Sequence, residues 1–491
     1  MSFSTIIYFN KFTSGIVPLL FILFCLPPLS AQNSMLKAGA SISNITPPLG
    51  EAIVGNWNSP PATYIHDDLH ARSLVLDDGQ TQLIIVIVDN VSIKREVYDA
   101  AKYMIHHRTG IPMSHMLMAA THTHSGTSAG RKGSARRGWH YGEPLDEYQQ
   151  FLARRIADGV MTAIGNLEPA RLAWGSVDVP EHVFNRRWHM NEPIWSPLGE
   201  KDQVQMNPPR QSPALDKPAG PVDPELSFLA VESRDGRPIS LLANYSLHYV
   251  GGVPSGHISA DYFAVFADRI QELLKADRQD PPFVGIMSNG TSGDINNINF
   301  TAPAEKNLPY EKMRYVAFDL ADKVISQYPD MDFKEDISLF AAQEELRLAV
   351  RKPDEALKER MEKVRKRPES DPPIYHNLEK VYAGRIAQID KDWPDSIDII
   401  LQTFRIGDLA IASAPFETFA ETGLEIKEKS PFPHTFTIEL ANGEYGYLPT
   451  PEQHELGGYE TWISTNRVEK QTTVKMVEVI QSLLKKLEER K

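Results

Sequence analysis

The chain has 491 residues, 42% of them hydrophobic and 23% charged, with a formal net charge of −13 at pH 7. A chain of this length can bury a large core, and both shares are those of a soluble globular protein. The acidic balance and the lack of a long basic block exclude a nucleic-acid footprint and give no basis for tight attraction to an anionic membrane.

The first element is MSFSTIIYFNKFTSG, with Lys11 as its one cation, followed by the apolar IVPLLFILFCLPPLS and then Ala31-Gln32. It reads as a secretory signal peptide over residues 1–31, cleaved near Ser30 or Ala31. Pro27 and Pro28 break the apolar run before it reaches the ~20 residues needed to span a bilayer, so no stable membrane span is expected after cleavage. The single cysteine, Cys25, lies inside this segment. A mature chain without cysteine has no disulfide and no thiolate ligand, which suits export to a bacterial periplasm or the medium. A metal site would then use His, Asp, Glu, Tyr or backbone oxygen.

Residues 36–50 read as a strand closed by a Pro-Pro turn, and residues 70–93 as a hairpin turning at Asp-Asp-Gly. REVYDAAKYMIHHRTG reads as a helix ended by Gly110, and HMLMAAT as a buried strand. DEYQQFLARRIADGVMTAIGNL (146–167) is an amphipathic helix, and strands are expected at RLAWGSVDVP and LSFLAVES. Between them, residues 188–224 are rich in Pro, Trp and polar residues and read as an irregular insert, either a substrate-facing wall or a solvated linker. PISLLANYSLHYVGG is a strand ending at His248, DYFAVFADRIQELLK a helix, and PPFVGIMSNGTSGDINNINF a strand running into a Gly/Asn loop. Residues 341–392 are highly charged and read as an exposed helical excursion. A hairpin, a strand with its loop and a terminal amphipathic helix complete the chain, with no internal repeat evident. The expected class is mixed α/β: mixed β-sheets with flanking helices, in one catalytic domain over residues 36–491.

The most informative stretch is MLMAATHTHSGTSAG (116–130), an apolar run ending in His122 and His124. Residues i and i+2 of a strand share a face, so the two imidazoles can serve one site. A lone His-x-His also occurs at ordinary strand ends; the placement before a Ser/Gly loop favours a catalytic or metal role. His248, Glu417 and Tyr447 each follow an apolar strand and are weak signals singly. Together they offer nitrogen and oxygen donors of the kind used by an open zinc site.

The ordered motifs ITPPLG (45–50), THTHSG (121–126), FNRR (184–187), HISADY (257–262), SNGTSGDINN (288–297), PFET (415–418) and YGYLPT (445–450) resemble those of neutral ceramidases. The resemblance implies a zinc ion that activates water to cleave the amide between a fatty acid and a sphingoid base. It implies His122, His248, Glu417 and Tyr447 as metal ligands for one Zn2+ per chain, with His124 close by but off the metal. Arg186 matches an arginine facing the scissile carbonyl. The family's catalytic serine corresponds to Asn296, which has no hydroxyl and can act only as a secondary donor. The family's C-terminal immunoglobulin-like domain finds no room in this chain. The expected partner is a small-molecule or lipid-like substrate. Two alternatives stand beside the amidase: a zinc hydrolase of a carbohydrate-derived ester or amide, and a binding protein that lost its chemistry with the serine.

Overall fold

Residues 35–131 and 137–490 are described in the computed structural model. The expected signal peptide, with Cys25, lies outside the described residues. Among them, no helix is long and apolar enough to cross a membrane.

Three successive stretches follow one plan. In the first, β1 (Lys37–Asn44), β2 (His70–Asp77) and β3 (Gln82–Val88) form an antiparallel meander. Helix α1 (Arg95–Thr109) returns the chain to β4 (Met116–Ala120), parallel to β3, and α2 (Glu147–Gly165) follows. Next, β5 (Glu168–Asp178), β6 (Glu225–Ser233), β7 (Pro238–Tyr245), α3 (Asp261–Leu273), β8 (Val284–Asn289) and α4 (Glu311–Gln327) repeat that order, again with only the last strand pair parallel. The third stretch begins with β9 (Leu339–Ala349) and an insert containing α5 (Glu355–Lys366) and α6 (Glu379–Asp392). It then runs through β10 (Ser396–Ile406), β11 (Leu409–Ala414), α7 (Ala420–Lys429), β12 (His434–Glu439) and α8 (Thr472–Glu488). Similarity of this kind lies in strand direction and connection, so it leaves no trace in residue identity.

The first two units join through β1 and β5 into an eight-stranded sheet of order β8-β7-β6-β5-β1-β2-β3-β4, while the third forms a four-stranded sheet, β9-β10-β11-β12. The sheets pack face to face through Leu74, Leu172 and Ile286 against Phe404, Ile411 and Phe436. Helices α1 to α4 cover the outer face of the larger sheet, and α7 and α8 that of the smaller, giving four layers, α/β/β/α. Strands such as β3 (QLIIVIV) are apolar on both faces because a helix layer covers one and a sheet the other. Each such side chain contributes about 1.5–3 kcal/mol on burial.

Helix ends follow local chemistry. Gly110 closes α1 at φ 77°, and Asp146 and Gln149 form a reciprocal capping box on α2.

Two sequence expectations need correction. Residues 188–224 are not irregular: Arg187–Trp195, Lys201–Met206 and Leu215–Pro218 form a three-stranded antiparallel sheet. Of the prolines that suggested a loop, Pro208, Pro209 and Pro213 fall between these strands, whereas Pro193 sits at a register shift within the first and Pro218 at the end of the third. The charged 341–392 segment is not wholly helical, since its first residues belong to β9, paired along its length with β10. Glu344, Glu345 and Arg347 lie on this edge strand, where charge discourages pairing with another chain. Nor is the segment simply exposed: α6 buries Tyr382 and Ile386.

The shared plan decides where function sits. In each unit the third and fourth strands are parallel, so their carboxyl ends, where ligands gather in α/β sheets, emerge at one edge. The connection from first to second strand leaves from that same edge. All three of those connections, residues 45–69, 179–224 and 350–395, are long and carry residues that line one cavity, among them Trp57, Asn207 and Arg385.

Candidate metal centre

The cavity floor is built from six strand ends. Val91 follows β3, His122 and His124 follow β4, His248 follows β7, Ser292 follows β8, Glu417 follows β11, and Glu439 closes β12 with Tyr447 beyond it. Glu417–Thr418 and Tyr447–Leu448 pair as short parallel strands, which brings the carboxylate and the phenol side by side.

His122 and His124 do converge, though not by strand alternation. His122 lies past the end of β4 in the left-handed region, φ 72°, with its N–H donating to the Asn90 carbonyl at 2.9 Å. Such a conformation is unfavourable for a non-glycine residue and persists only where the surroundings enforce it. The turn brings the His124 Nε2 to 3.1 Å from the His122 Nε2. The His248 Nε2 stands 2.9 Å from the same atom, and all three rings offer nitrogens within 4.8 Å of one another.

Tautomers follow from the partners on the other side of each ring. His122 Nδ1 lies 2.6 Å from the Val91 carbonyl, and His248 Nδ1 lies 3.1 Å from the Ser292 carbonyl. A carbonyl only accepts, so each Nδ1 carries the hydrogen and each Nε2 presents a lone pair. The Glu417 Oε2 stands 3.3 Å from the His122 Nε2 and 3.7 Å from that of His248, and has no hydrogen-bond donor among the described residues. Three buried acceptor atoms thus face one point, and the only N–H given to them among the described residues is a long one, from the Arg186 Nη1 to the His248 Nε2 at 3.5 Å. Ligand atoms around a tetrahedral zinc at ~2.0–2.1 Å stand about 3.3 Å apart, so the donor set fits such an ion.

His124 is held differently. Its ring stacks on Tyr249 at 3.8 Å, and its Nδ1 is buried with no partner among the described residues. No carbonyl fixes its tautomer, and its Nε2 faces that of His122. Gly55, at φ 119°, packs against it so closely that an added Cβ would lie 2.7 Å from the His124 Cγ.

Electrostatics separate the three rings. Burial lowers the basicity of all of them, but the Glu417 carboxylate outweighs this at His122, whose pKa is raised. His248 and His124 are held well below the usual value by burial and then by the neighbouring His122. Burial pushes the Tyr447 phenol well up, Glu417 adding to the effect and Arg186 opposing it.

Behind these groups lies a shell that no motif reading identified. Glu439, fully buried, accepts from the Ser292 hydroxyl at 2.7 Å, the Thr418 N–H at 2.8 Å and the Asn289 amide at 3.0 Å. It thereby ties the loops after β8 and β11 to β12. Gly293 is required here, since a Cβ would meet the Glu417 carbonyl oxygen at 2.4 Å. Glu460 accepts from Arg186 Nε at 3.0 Å and from Arg187 Nη1 at 2.7 Å, all three being buried. Arg186 is thus aimed with its Cζ 5.2 Å from the Tyr447 ring, its Nη1 3.5 Å from the His248 Nε2 and its Nη2 buried with no partner among the described residues.

Of the sequence-predicted residues, His122, His124, Arg186, Glu417 and Tyr447 line the cavity, and His248 lies directly behind it against His122. Asn296 does not line it. Its amide donates to the Asn207 side chain at 2.8 Å and its oxygen accepts from the Ile298 N–H at 2.9 Å. Asn207, from the second long connection, faces the cavity, as does Asn56 from the first.

The model of the neutral/alkaline non-lysosomal ceramidase N-terminal domain matches residues 36–306. The chain belongs to the neutral/alkaline non-lysosomal ceramidase family. Its fold is similar to that in the crystal structure of neutral ceramidase from Pseudomonas aeruginosa, at 17% identity and a TM-score of 0.68, over 93% of this chain and 75% of that one. A structure described as ceramidase complexed with C2 is similar at 15% identity, TM-score 0.68, over 93% and 76% of the two chains. At these identities the likeness shows the fold. No curated protein matches the sequence. A ceramidase-family hydrolase with three clustered histidines able to hold a metal ion is what the family match and the geometry jointly establish.

Proposed function

We propose that this ceramidase-family chain is an exported zinc-dependent hydrolase that cleaves an N-acyl amide, binding one zinc ion through His122, His248, Glu417 and Tyr447. The observation that carries the reading is the convergence of the His122, His248 and Glu417 lone pairs, with both imidazole hydrogens committed to carbonyls on the far side. Export rests on the leader-like residues 1–31 alone.

Zinc bound there supplies a water ionisable near neutral pH and an acid for the acyl oxygen. The residues of this chain do the rest. His124, with no carbonyl fixing its tautomer, would take the water proton at Nε2, the nitrogen that faces the site, and return it to the departing amine. Arg186, fixed by Glu460, directs its unpartnered Nη toward charge developing on the acyl oxygen. Loss of one such donor typically costs on the order of 3 kcal/mol in barrier. Asn207 stands where a cavity-facing amide can orient the substrate.

Metal analysis of the purified full chain, together with release of amine from a panel of N-acyl compounds, tests this. About one zinc per chain with metal-dependent amine release is expected. Protein grown with zinc that binds no metal would instead favour a binding protein.

A further inference from the structure

The cavity before the histidines encloses about 290 Å3, at the small end of the ~300–1,000 Å3 of ligand sites. Its aliphatic lining is limited to Val91 and Met206. A long alkyl chain gains ~0.8 kcal/mol per buried methylene, and two aliphatic side chains supply little of that. The walls are cationic instead, with Lys94, Arg137, Arg186, Arg385 and Arg467 against the carboxylates of Glu417 and Glu444, in a chain of net charge −13.

Most of these cations are already paired. Lys94 and Arg467 share Glu444 at 2.5 and 2.9 Å, and Arg186 is bound to Glu460. Arg385 differs. It is only 8% exposed, yet among the described residues its guanidinium has no ion pair and no hydrogen bond, and its Nε is buried without a partner. Two rings hold it, with its Cζ 5.4 Å from the Trp57 centroid and 4.8 Å from that of Tyr382. Burying a guanidinium without an anion is costly, and its planar fork matches an oxyanion. A row of rings joins it to the metal centre: Tyr459 lies 6.0 Å from Trp57 and 5.6 Å from Tyr447.

We propose that the cavity takes a small hydrophilic acyl compound whose end remote from the scissile bond is a carboxylate, sulfonate or phosphate held by Arg385, its body lying along Trp57 and Tyr459. The substrate class rests on the hydrolase reading above; the oxyanion site itself does not.

Calorimetry on the full chain supplied with zinc tests it, using 6-acetamidohexanoate, 6-acetamidohexane-1-sulfonate and 6-acetamidohexyl phosphate against neutral 6-acetamidohexan-1-ol. Where turnover intervenes, the same ratio is read as kcat/KM. At least one anionic compound is expected to bind tenfold or more tightly than the neutral one, and the three arms tell which oxyanion is preferred. Arg385→Gln should abolish the ratio with zinc content retained, and Arg385→Lys should keep part of it. Equal affinity for anionic and neutral compounds, or a ratio that survives in Arg385→Gln, overturns the proposal. The wild-type ratio stands by itself if the variant does not fold. Tight anionic binding without hydrolysis of any compound would sink the hydrolase reading alone, whereas rapid cleavage of a long-chain N-acyl sphingoid base with no anionic preference would sink only this one.

Discussion

The Nε2 atoms of His122 and His248 face each other across 2.9 Å, while the opposite nitrogen of each ring gives its hydrogen to a backbone carbonyl. Two lone pairs at that distance repel unless a cation lies beside them. His248→Ala should therefore lower zinc content from about one per chain to below a tenth, measured by elemental analysis after dialysis. Added zinc should raise the melting temperature of the wild type and not of the variant, because only a ligand bound by the folded state stabilises it.

His124 approaches the same point but has no carbonyl fixing its tautomer. His124→Ala is expected to retain the metal and lose turnover by roughly 10²–10⁴-fold, the usual contribution of a positioned acid or base. Loss of zinc together with activity would make it a ligand instead.

Glu460 is buried between two buried arginines. Removing one partner of such a network leaves an uncompensated charge, at about 3–5 kcal/mol. Glu460→Gln should lower the unfolding free energy by about that amount in urea titrations, and should reduce kcat more than it raises KM because Arg186 loses its anchor.

Gly55 sits at φ 119° with the His124 side chain and backbone within 2.8 Å of a built Cβ. Gly55→Ala combines a strained backbone with a steric push on the ring proposed as acid and base. A loss of about 1–3 kcal/mol in stability is expected from the strain, with a larger proportional loss of turnover. Unchanged turnover in a folded variant would show that His124 tolerates displacement.

Lys102 on α1 is almost fully buried, donates to the Asn442 side chain at 2.7 Å, and is pushed down to about 7 mainly by burial. The unfolded chain holds this proton up to pH ~10.5, so between about 7 and 10.5 it binds more protons than the folded chain. The sign follows: Lys102 costs stability that is progressively relieved as pH rises, by up to about 1.4 kcal/mol per pH unit. Lys102→Met should be more stable than the wild type at pH 7, with the gap narrowing toward pH 10 in paired urea titrations. A gap independent of pH would mean that the lysine stays charged when buried.

The sequence by itself determined the elements whose signals are local. Apolar runs of β3 and β4, the 3.6-residue stripe of α2 with its Asp146 cap, and the His-x-His at a strand end are all read within a few residues. The motifs shared with the ceramidase family pointed to His122, His248, Glu417, Tyr447 and Arg186, which the fold brings close together. Periodicity misled where charge obscured it, as in β9, and where prolines between strands looked like an unbroken loop, as in residues 188–224. Only the tertiary structure decided which ends meet. The threefold plan resides in strand direction and connection, so nothing in residue identity announces that residues 45–69, 179–224 and 350–395 leave from one edge and wall one cavity. The same packing turned Asn296 toward Asn207 and left Arg385 with no anion among the described residues. Partners for buried polar groups are chosen by long-range packing, and a chain read one window at a time holds no record of that choice.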